Sequence, residues 1–80
     1  MKIKILGTGC AKCQQLEAVT REAVSELGID ATVEKVKDIV EIMEYPILTT
    51  PGLVLNEKVV LAGKVPTREE VKTLLKQAAE

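Results

Sequence analysis

The residues of this chain best suited to chemistry are two cysteines three positions apart. Cys10 and Cys13 are its only cysteines, and Ala11 and Lys12 stand between them. Residues at this spacing share one face of a helix, with their Cα atoms roughly 5 Å apart, which is within the range that a disulfide requires. Such a pair can alternate between two thiols and a disulfide, or bind a soft metal ion as two thiolates.

The lack of histidine limits the chemical roles that the two cysteines can have. The 80 residues contain none, which excludes the Ser-His-Asp and Cys-His nucleophile systems and a zinc site built from cysteine and histidine pairs. A purely structural disulfide is a weak alternative, because a four-residue ring constrains little chain. The main alternative to dithiol–disulfide chemistry is copper-type metal binding, since small metallochaperones also carry a Cys-x-x-Cys between a first strand and a helix.

The elements around the pair favour a reactive cysteine. Residues 1–6 alternate Lys with Ile and predict a strand, and residues 7–9 (Gly-Thr-Gly) break it. Apolar residues then recur at helical spacing over 10–27, and Gly28 is a suitable stop. Free N–H groups and the helix dipole at a helix start stabilise a thiolate, so Cys10 is predicted to be activated there.

The rest of the chain predicts three more strands and two more helices. Strands are expected over 29–36, 52–55 and 58–62, the last two joined by a two-residue turn at Asn56-Glu57. Asp38 is a suitable N-cap for a short helix that runs through Glu44, and Thr67 with Glu70 forms a capping box for the last helix. Met43 and Tyr45 are expected to fill the core, and the stems of Lys2 and Lys4 to cover a partly exposed sheet face.

The predicted order is β-α-β-α-β-β-α in a single domain, residues 1–80. A right-handed βαβ connection makes the first two strands parallel. The hairpin makes the last two antiparallel. The fold class is therefore α/β, with a four-stranded mixed sheet and three helices.

These motifs resemble the thioredoxin-like superfamily, and in particular its small glutaredoxin-like redox-active disulfide proteins. The resemblance covers essentially the whole chain and rests on residues 7–13, on residues 50–52 (Thr-Pro-Gly) and on Gly63. It implies a minimal thioredoxin fold in which Pro51 is cis and packs against the cysteine pair, while Thr50 offers its backbone to a bound peptide. The substrate-binding positions that it implies are Thr8, Gly9, Ala11, Lys12, Thr50, Pro51 and Gly63.

The implied activity is thiol–disulfide exchange without a cofactor or a metal. Cys10 attacks a protein or small-molecule disulfide, Cys13 resolves the mixed disulfide, and an external reductase or thiol resets the pair. The chain departs from the usual family pattern at Gly9, where Trp is usual, and at Ala11-Lys12, where Gly-Pro is usual. Lys4 stands where a buried acid is usual, and there is no strong signature for glutathione binding. Three features disfavour the metallochaperone alternative: Thr8 in place of Met, a helical C-terminus, and Thr50-Pro51.

Composition excludes other partners. Charged residues make up 29% of the chain and nearly cancel, to a net charge of −1, and Tyr45 is the only aromatic residue. A basic face and stacking aromatics, typical of nucleic-acid binding, are therefore not expected. No apolar run is long enough for a membrane span, and residues 1–6 do not resemble a secretory signal. The sequence thus predicts a cytoplasmic protein, and nothing in it calls for more than a monomer.

Overall fold

The predicted order of elements is found in the computed structural model, which describes residues 1–79. The strands are β1 (Lys2–Leu6), β2 (Thr32–Val36), β3 (Gly52–Leu55) and β4 (Lys58–Ala62). The helices are α1 (Ala11–Leu27), α2 (Ile39–Ile42) and α3 (Arg68–Ala79). The predicted α/β class, with a four-stranded mixed sheet and three helices, is confirmed.

Two elements are shorter than predicted by more than one residue. Strand β2 begins at Thr32 rather than at residue 29, because β1 begins at Lys2 and offers residues 29–31 no partner in the ladder. Helix α2 ends before Glu44, where Glu44 and Tyr45 donate their backbone N–H groups to carbonyls three residues back. This tighter winding precedes Pro46, which disfavours helical geometry in the residue before it.

The strand order is β2-β1-β3-β4, with β1 parallel to β2 and antiparallel to β3. Strand β4 returns antiparallel to β3 through the Asn56-Glu57 turn, where both residues have positive φ. Leu6, the last residue of β1, pairs with Val36 on one side and with Gly52 on the other. The cysteine loop that follows β1 therefore lies at the sheet end where β2 finishes and β3 begins.

Each sheet face carries its own apolar cluster. Ile3 and Ile5 pack under α1 and α3, whose Leu16 and Leu75 are fully buried. Leu6, Val36 and Val54 face the other way and are covered by Ile42 and, in part, by Tyr45. One cluster thus fixes α1 against the sheet, and the other fixes the segment that leads from α2 towards Pro51.

Met43 does not fill the core as predicted, because 75% of its surface is exposed. Helix α2 forms little more than one turn, and Ile42 occupies its inward position. Ile39 and Val40 are exposed as well. The segment is too short for a helical pattern in the sequence to show which of its apolar residues point inward.

Lys4 lies on the central strand β1, and its charge is paired. Its Nζ donates to the Tyr45 hydroxyl at 2.9 Å and lies 2.7 Å from Glu57 Oε1, and its side chain is 18% exposed. The hydrogen bond to Glu57, followed by that to Tyr45, raises the pKa of Lys4 above its ordinary range. The lysine therefore stays protonated and joins β1 to the hairpin and to the segment after α2.

Helix ends are closed as the sequence predicts. Gly28 ends α1 in the left-handed region at φ 63°, and its N–H donates to the carbonyls of Val24 and Ser25. Thr67 Oγ1 accepts from the Glu70 N–H at 3.2 Å, while Glu70 Oε1 accepts from the Thr67 N–H at 3.1 Å. Across residues 1–79, none of the helices has the length and apolar character needed to cross a membrane.

Candidate active site

The cysteine pair occupies the first turn of α1. Cys10 is the N-cap, with an extended backbone, and Cys13 lies one turn into the helix. A disulfide joins the two residues, whose Cα atoms are 5.1 Å apart, in agreement with the spacing argument. The Cys13 N–H donates to Cys10 Sγ at 3.3 Å. A donor aimed at this sulfur, together with the helix dipole, stabilises a thiolate on Cys10 when the pair is reduced.

The loop before the helix fixes this geometry. Gly9 has φ 95°, a conformation that residues with a side chain rarely adopt. Its carbonyl accepts from Gln14 Nε2 at 3.2 Å. Thr8, Ala11 and Lys12 are exposed around the pair. The sequence therefore forms a turn that presents Cys10 at the surface.

The two sulfur-bearing residues differ sharply in accessibility. Cys10 is exposed, whereas Cys13 is only 5% exposed. Gly7, directly after β1, makes room for Cys13: a Cβ built on Gly7 would lie against Cys13 Sγ, closer than real Cβ atoms approach, and 3.1 Å from Cys13 Cβ. An incoming thiol or disulfide can therefore reach Cys10 but not Cys13.

Beside Gly7, at the same end of the sheet, lie the backbones of Pro51 and Gly63. The Leu6–Gly52 pairing places Pro51 beside Gly7, and the Gly63 N–H donates to the Pro51 carbonyl at 2.7 Å. The Thr50–Pro51 peptide is cis, as the resemblance implied. Pro51 is buried and Thr50 is exposed. The structure thus gathers Pro51 and Gly63 at the sheet end that carries the cysteines.

Gly63 is required by its surroundings. It has φ 81°, and a Cβ there would lie 2.6 Å from Thr49 Cγ2. This contact involves Thr49, which the sequence analysis did not single out. The position therefore accepts glycine for a local packing reason as well as for any access that it gives to a substrate.

A solvent-open pocket of about 370 Å³ lies behind Cys13, between α1 and the ends of β1 and β2. It is lined by one apolar residue, two glycines and five residues able to take part in polar contacts: Ile5, Gly7, Gly9, Cys13, Gln14, Glu17, Lys35 and Lys37. Of these, only Gly9 and Cys13 were predicted from the sequence as site residues. Glu17 is detectable in principle, one helical turn after Cys13, but Lys35 and Lys37 reach the pocket only through the register of β2 against β1.

Glu17 is held in place by two cations. Its side chain is 19% exposed, Oε2 accepts from Arg21 Nε at 3.0 Å, and Oε1 lies 3.6 Å from Lys35 Nζ. The hydrogen bond from Arg21 is the main cause that lowers the pKa of Glu17 below its ordinary value. Glu17 is therefore a carboxylate at neutral pH.

In the described residues, the metal-binding alternative is confined to a site made by the two cysteine sulfurs alone. Within residues 1–79, no three His, Cys, Asp or Glu side chains are grouped so that they could hold a metal ion. The described chain also finishes in helix α3 rather than in the strand expected of the metallochaperones.

Comparison with known proteins agrees with this site. A family model described as a thioredoxin domain matches residues 1–76. A thioredoxin of Methanothermobacter thermautotrophicus is 49% identical over 75 residues, which cover 94% of this chain and 97% of that protein. A thioredoxin of Methanocaldococcus jannaschii is 46% identical over 78 residues, or 98% of this chain and 90% of that protein. With matches of this extent, the chain belongs to the thioredoxin family and is a thiol–disulfide oxidoreductase.

Proposed function

We propose that the protein reduces or exchanges protein disulfides, with Cys10 as the nucleophile and Cys13 as the resolving cysteine. The difference in exposure between the two residues is the observation that supports these roles. The Cys10 thiolate attacks a substrate sulfur, and the substrate's own disulfide breaks to give a mixed disulfide on Cys10. Cys13 then attacks Cys10 Sγ, which releases the reduced substrate and closes the internal disulfide.

The surface around Cys10 is the proposed substrate site. Its members are Thr8, Gly9, Ala11, Lys12, Thr50, Pro51 and Gly63. Thr50 is exposed beside the buried Pro51, so an extended peptide can approach it at the end of the sheet. A peptide bound there by main-chain hydrogen bonds would present its disulfide to Cys10 with little dependence on its side chains.

The wider setting of the reaction follows from this chemistry. The oxidised pair has to be reset by a separate reductase or a thiol, and no cofactor is required, because the two sulfurs carry both electrons. We place the reaction in the cytoplasm, where reducing systems keep dithiols available. We further expect the chain to work as a monomer and a single domain.

Trapping experiments test the two cysteine roles. Cys13→Ser should accumulate a mixed disulfide with an oxidised protein substrate, since the nucleophile remains and the resolving thiol is lost. Cys10→Ser should accumulate little, because Cys13 is buried. Non-reducing gels and intact mass would measure the adducts, with Cys10→Ser/Cys13→Ser as the control for non-specific capture. Equal trapping by both single variants would contradict the assignment.

A redox titration separates this function from metal binding. Alkylation of free thiols in buffers of graded potential should show one reversible two-electron transition, roughly between −120 and −270 mV, where dithiol oxidoreductases lie. A pair that forms no reversible internal disulfide, or that copurifies with a soft metal ion protecting both thiols, would instead favour the metal-binding alternative.

A further inference from the structure

Resolution of the mixed disulfide requires a proton to leave a shielded thiol. Cys13 has to become a thiolate before it attacks, yet it is only 5% exposed and lies against Gly7 and the wall of the pocket. A free thiol ionises with a pKa of about 8.5, so at neutral pH only a few per cent of it is reactive without help. A base that shares the pocket with Cys13 would remove this limit.

The pocket contains one carboxylate. Glu17 lines it with Cys13 and is four residues further along α1, on the same helix face. The other charged groups that face Glu17 are Arg21 on α1 and Lys35 on β2, with Lys37 at the pocket wall. All three are cations that hold or surround the carboxylate, and β1 contributes only Ile5 and the adjoining Gly7.

No equivalent group reaches Cys13 from β1. Lys4 belongs to the opposite sheet face from Ile3 and Ile5, which pack under α1, and its Nζ is engaged by Glu57 and Tyr45. The sequence contains no histidine. The pocket, at about 370 Å³, has room for several water molecules, each of which takes about 30 Å³ in the liquid. One such water can connect a thiol and a carboxylate that are one helical turn apart.

We propose that Glu17 is the proton acceptor for the Cys13 thiol, acting through water in the pocket. This inference rests on the proposed roles of Cys10 and Cys13. The carboxylate takes the proton from Cys13 Sγ, and the thiolate attacks Cys10 Sγ. The bond between Cys10 and the substrate sulfur breaks as the Cys10–Cys13 bond forms, and the two electrons leave with the substrate thiolate, which then takes up the proton from Glu17.

Arg21 and Lys35 keep the Glu17 carboxylate in place. Arg21 and Lys35 bind one carboxylate oxygen each, so the side chain cannot turn away from the pocket without losing both contacts. They also keep Glu17 ionised at neutral pH. Glu17 is then able to accept a proton from neutral pH down to its own lowered pKa, and the Cys13 thiol is protonated throughout that range.

Single-turnover kinetics against a chromogenic disulfide of thionitrobenzoate test the proposal. The reduced protein should release one coloured thiolate when Cys10 attacks and a second when Cys13 resolves. In Glu17→Gln the first phase should be unchanged, and the second should slow about tenfold or more at pH 6.5. Above pH 9 the second phase should recover the wild-type rate, because the thiol then ionises without a base.

Two further variants separate proton transfer from a structural effect. Glu22→Gln removes an exposed carboxylate of α1 that lies 3.9 Å from Arg68, and should leave both phases unchanged. Arg21→Gln keeps the carboxylate but raises its pKa, so the acid limb of the second phase should move to higher pH. A second phase that is unchanged or faster in Glu17→Gln at pH 6.5, or that stays slow above pH 9, would overturn the proposal. Failure of the wild-type protein to release the second thiolate would instead contradict the cysteine roles.

Discussion

At the scale of single residues, the missing side chain of Gly7 determines the geometry of the site where β1 meets α1. Gly7 leaves the space that Cys13 Sγ occupies, and Cys13 is thereby withdrawn from the surface while Cys10 stays on it. Neither the motif nor its spacing contains this difference, because both cysteines are the same residue type at a helix start. The asymmetry comes from what lies next to each sulfur.

Gly7→Ala should destabilise the oxidised protein by about 1–3 kcal/mol, the usual cost of overpacking a fixed site. The added methyl group would meet Cys13 Sγ and Cβ, which the helix and the disulfide hold in place. Urea unfolding of the oxidised protein would measure the loss. The same substitution in a Cys13→Ala background should cost clearly less, and an equal cost in both backgrounds would show that the sulfur is not the obstacle.

Thr20 is a buried polar residue in the middle of α1. It is fully buried, and its Oγ1 has no hydrogen-bond partner in the part of the chain that the structure describes. Thr20→Val keeps the shape and the branching but removes the unpaired hydroxyl, so it should stabilise the protein by about 1 kcal/mol. Thr73→Val is the matched control, since Thr73 Oγ1 donates to the Glu69 carbonyl at 3.1 Å. A loss of stability in Thr20→Val would disprove this account.

At the scale of elements, the strand bounds set by a tight turn and the helix ends closed by a cap were the most predictable. Strands β3 and β4 have the bounds that the sequence indicated, and Gly28 and the Thr67–Glu70 pair close their helices as expected. These features depend on local chemistry, which the sequence contains in full. The starting point of β2 depends on where β1 offers a partner, and a local pattern does not specify that.

The capping box of α3 gives a pH-dependent prediction. Hydrogen bonds from Thr67, first from its backbone, lower the pKa of Glu70. A carboxyl whose pKa is lowered in the folded state stabilises the fold above its ordinary pKa of about 4.3. This stability is lost as the pH falls from that value through the lower, folded-state pKa. Glu70→Gln should therefore reduce the free energy of unfolding at pH 7 but hardly at pH 3, as measured by urea titration at each pH.

Thr67 provides the matching pair of variants for that cap. Thr67→Ala should cost about 1 kcal/mol at pH 7, whereas Thr67→Ser, which keeps the hydroxyl, should cost much less. If Glu70→Gln lowered stability equally at both pH values, the carboxylate charge would not be the cause.

At the scale of the whole molecule, the sheet register assembles what the sequence left separate. Residues 7, 51 and 63 are distant in the chain, and the pairings Leu6–Gly52 and Gly52–Ala62 set them side by side. The cysteine pair and its helix were predictable from a local motif. The pocket was not, because Lys35 enters it from β2 and Lys37 from the residue after that strand, and no local pattern gives the register of β2 against β1.

Charge and composition set the response of the whole fold to pH. The chain has no histidine, and the groups with shifted pKa values are carboxyls that are lowered, such as Glu17 and Glu57, and Lys4, which is raised. The free energy of unfolding of the oxidised protein should thus be flat to about 0.5 kcal/mol between pH 6 and 8 and fall below about pH 5. Urea midpoints across this range would measure it, and a marked slope between pH 6 and 8 would contradict it.

The short ring closed by Cys10 and Cys13 has a consequence for the life of the molecule. Chain-entropy arguments give a loop of this size about 2 kcal/mol of stabilisation at most. Neither apolar cluster contains Cys10 or Cys13, so we expect the clusters to hold the shape in both redox states. Resistance to unfolding and proteolysis should therefore change between the two redox states by no more than this ring contributes, so that each turnover leaves the molecule nearly as durable as before.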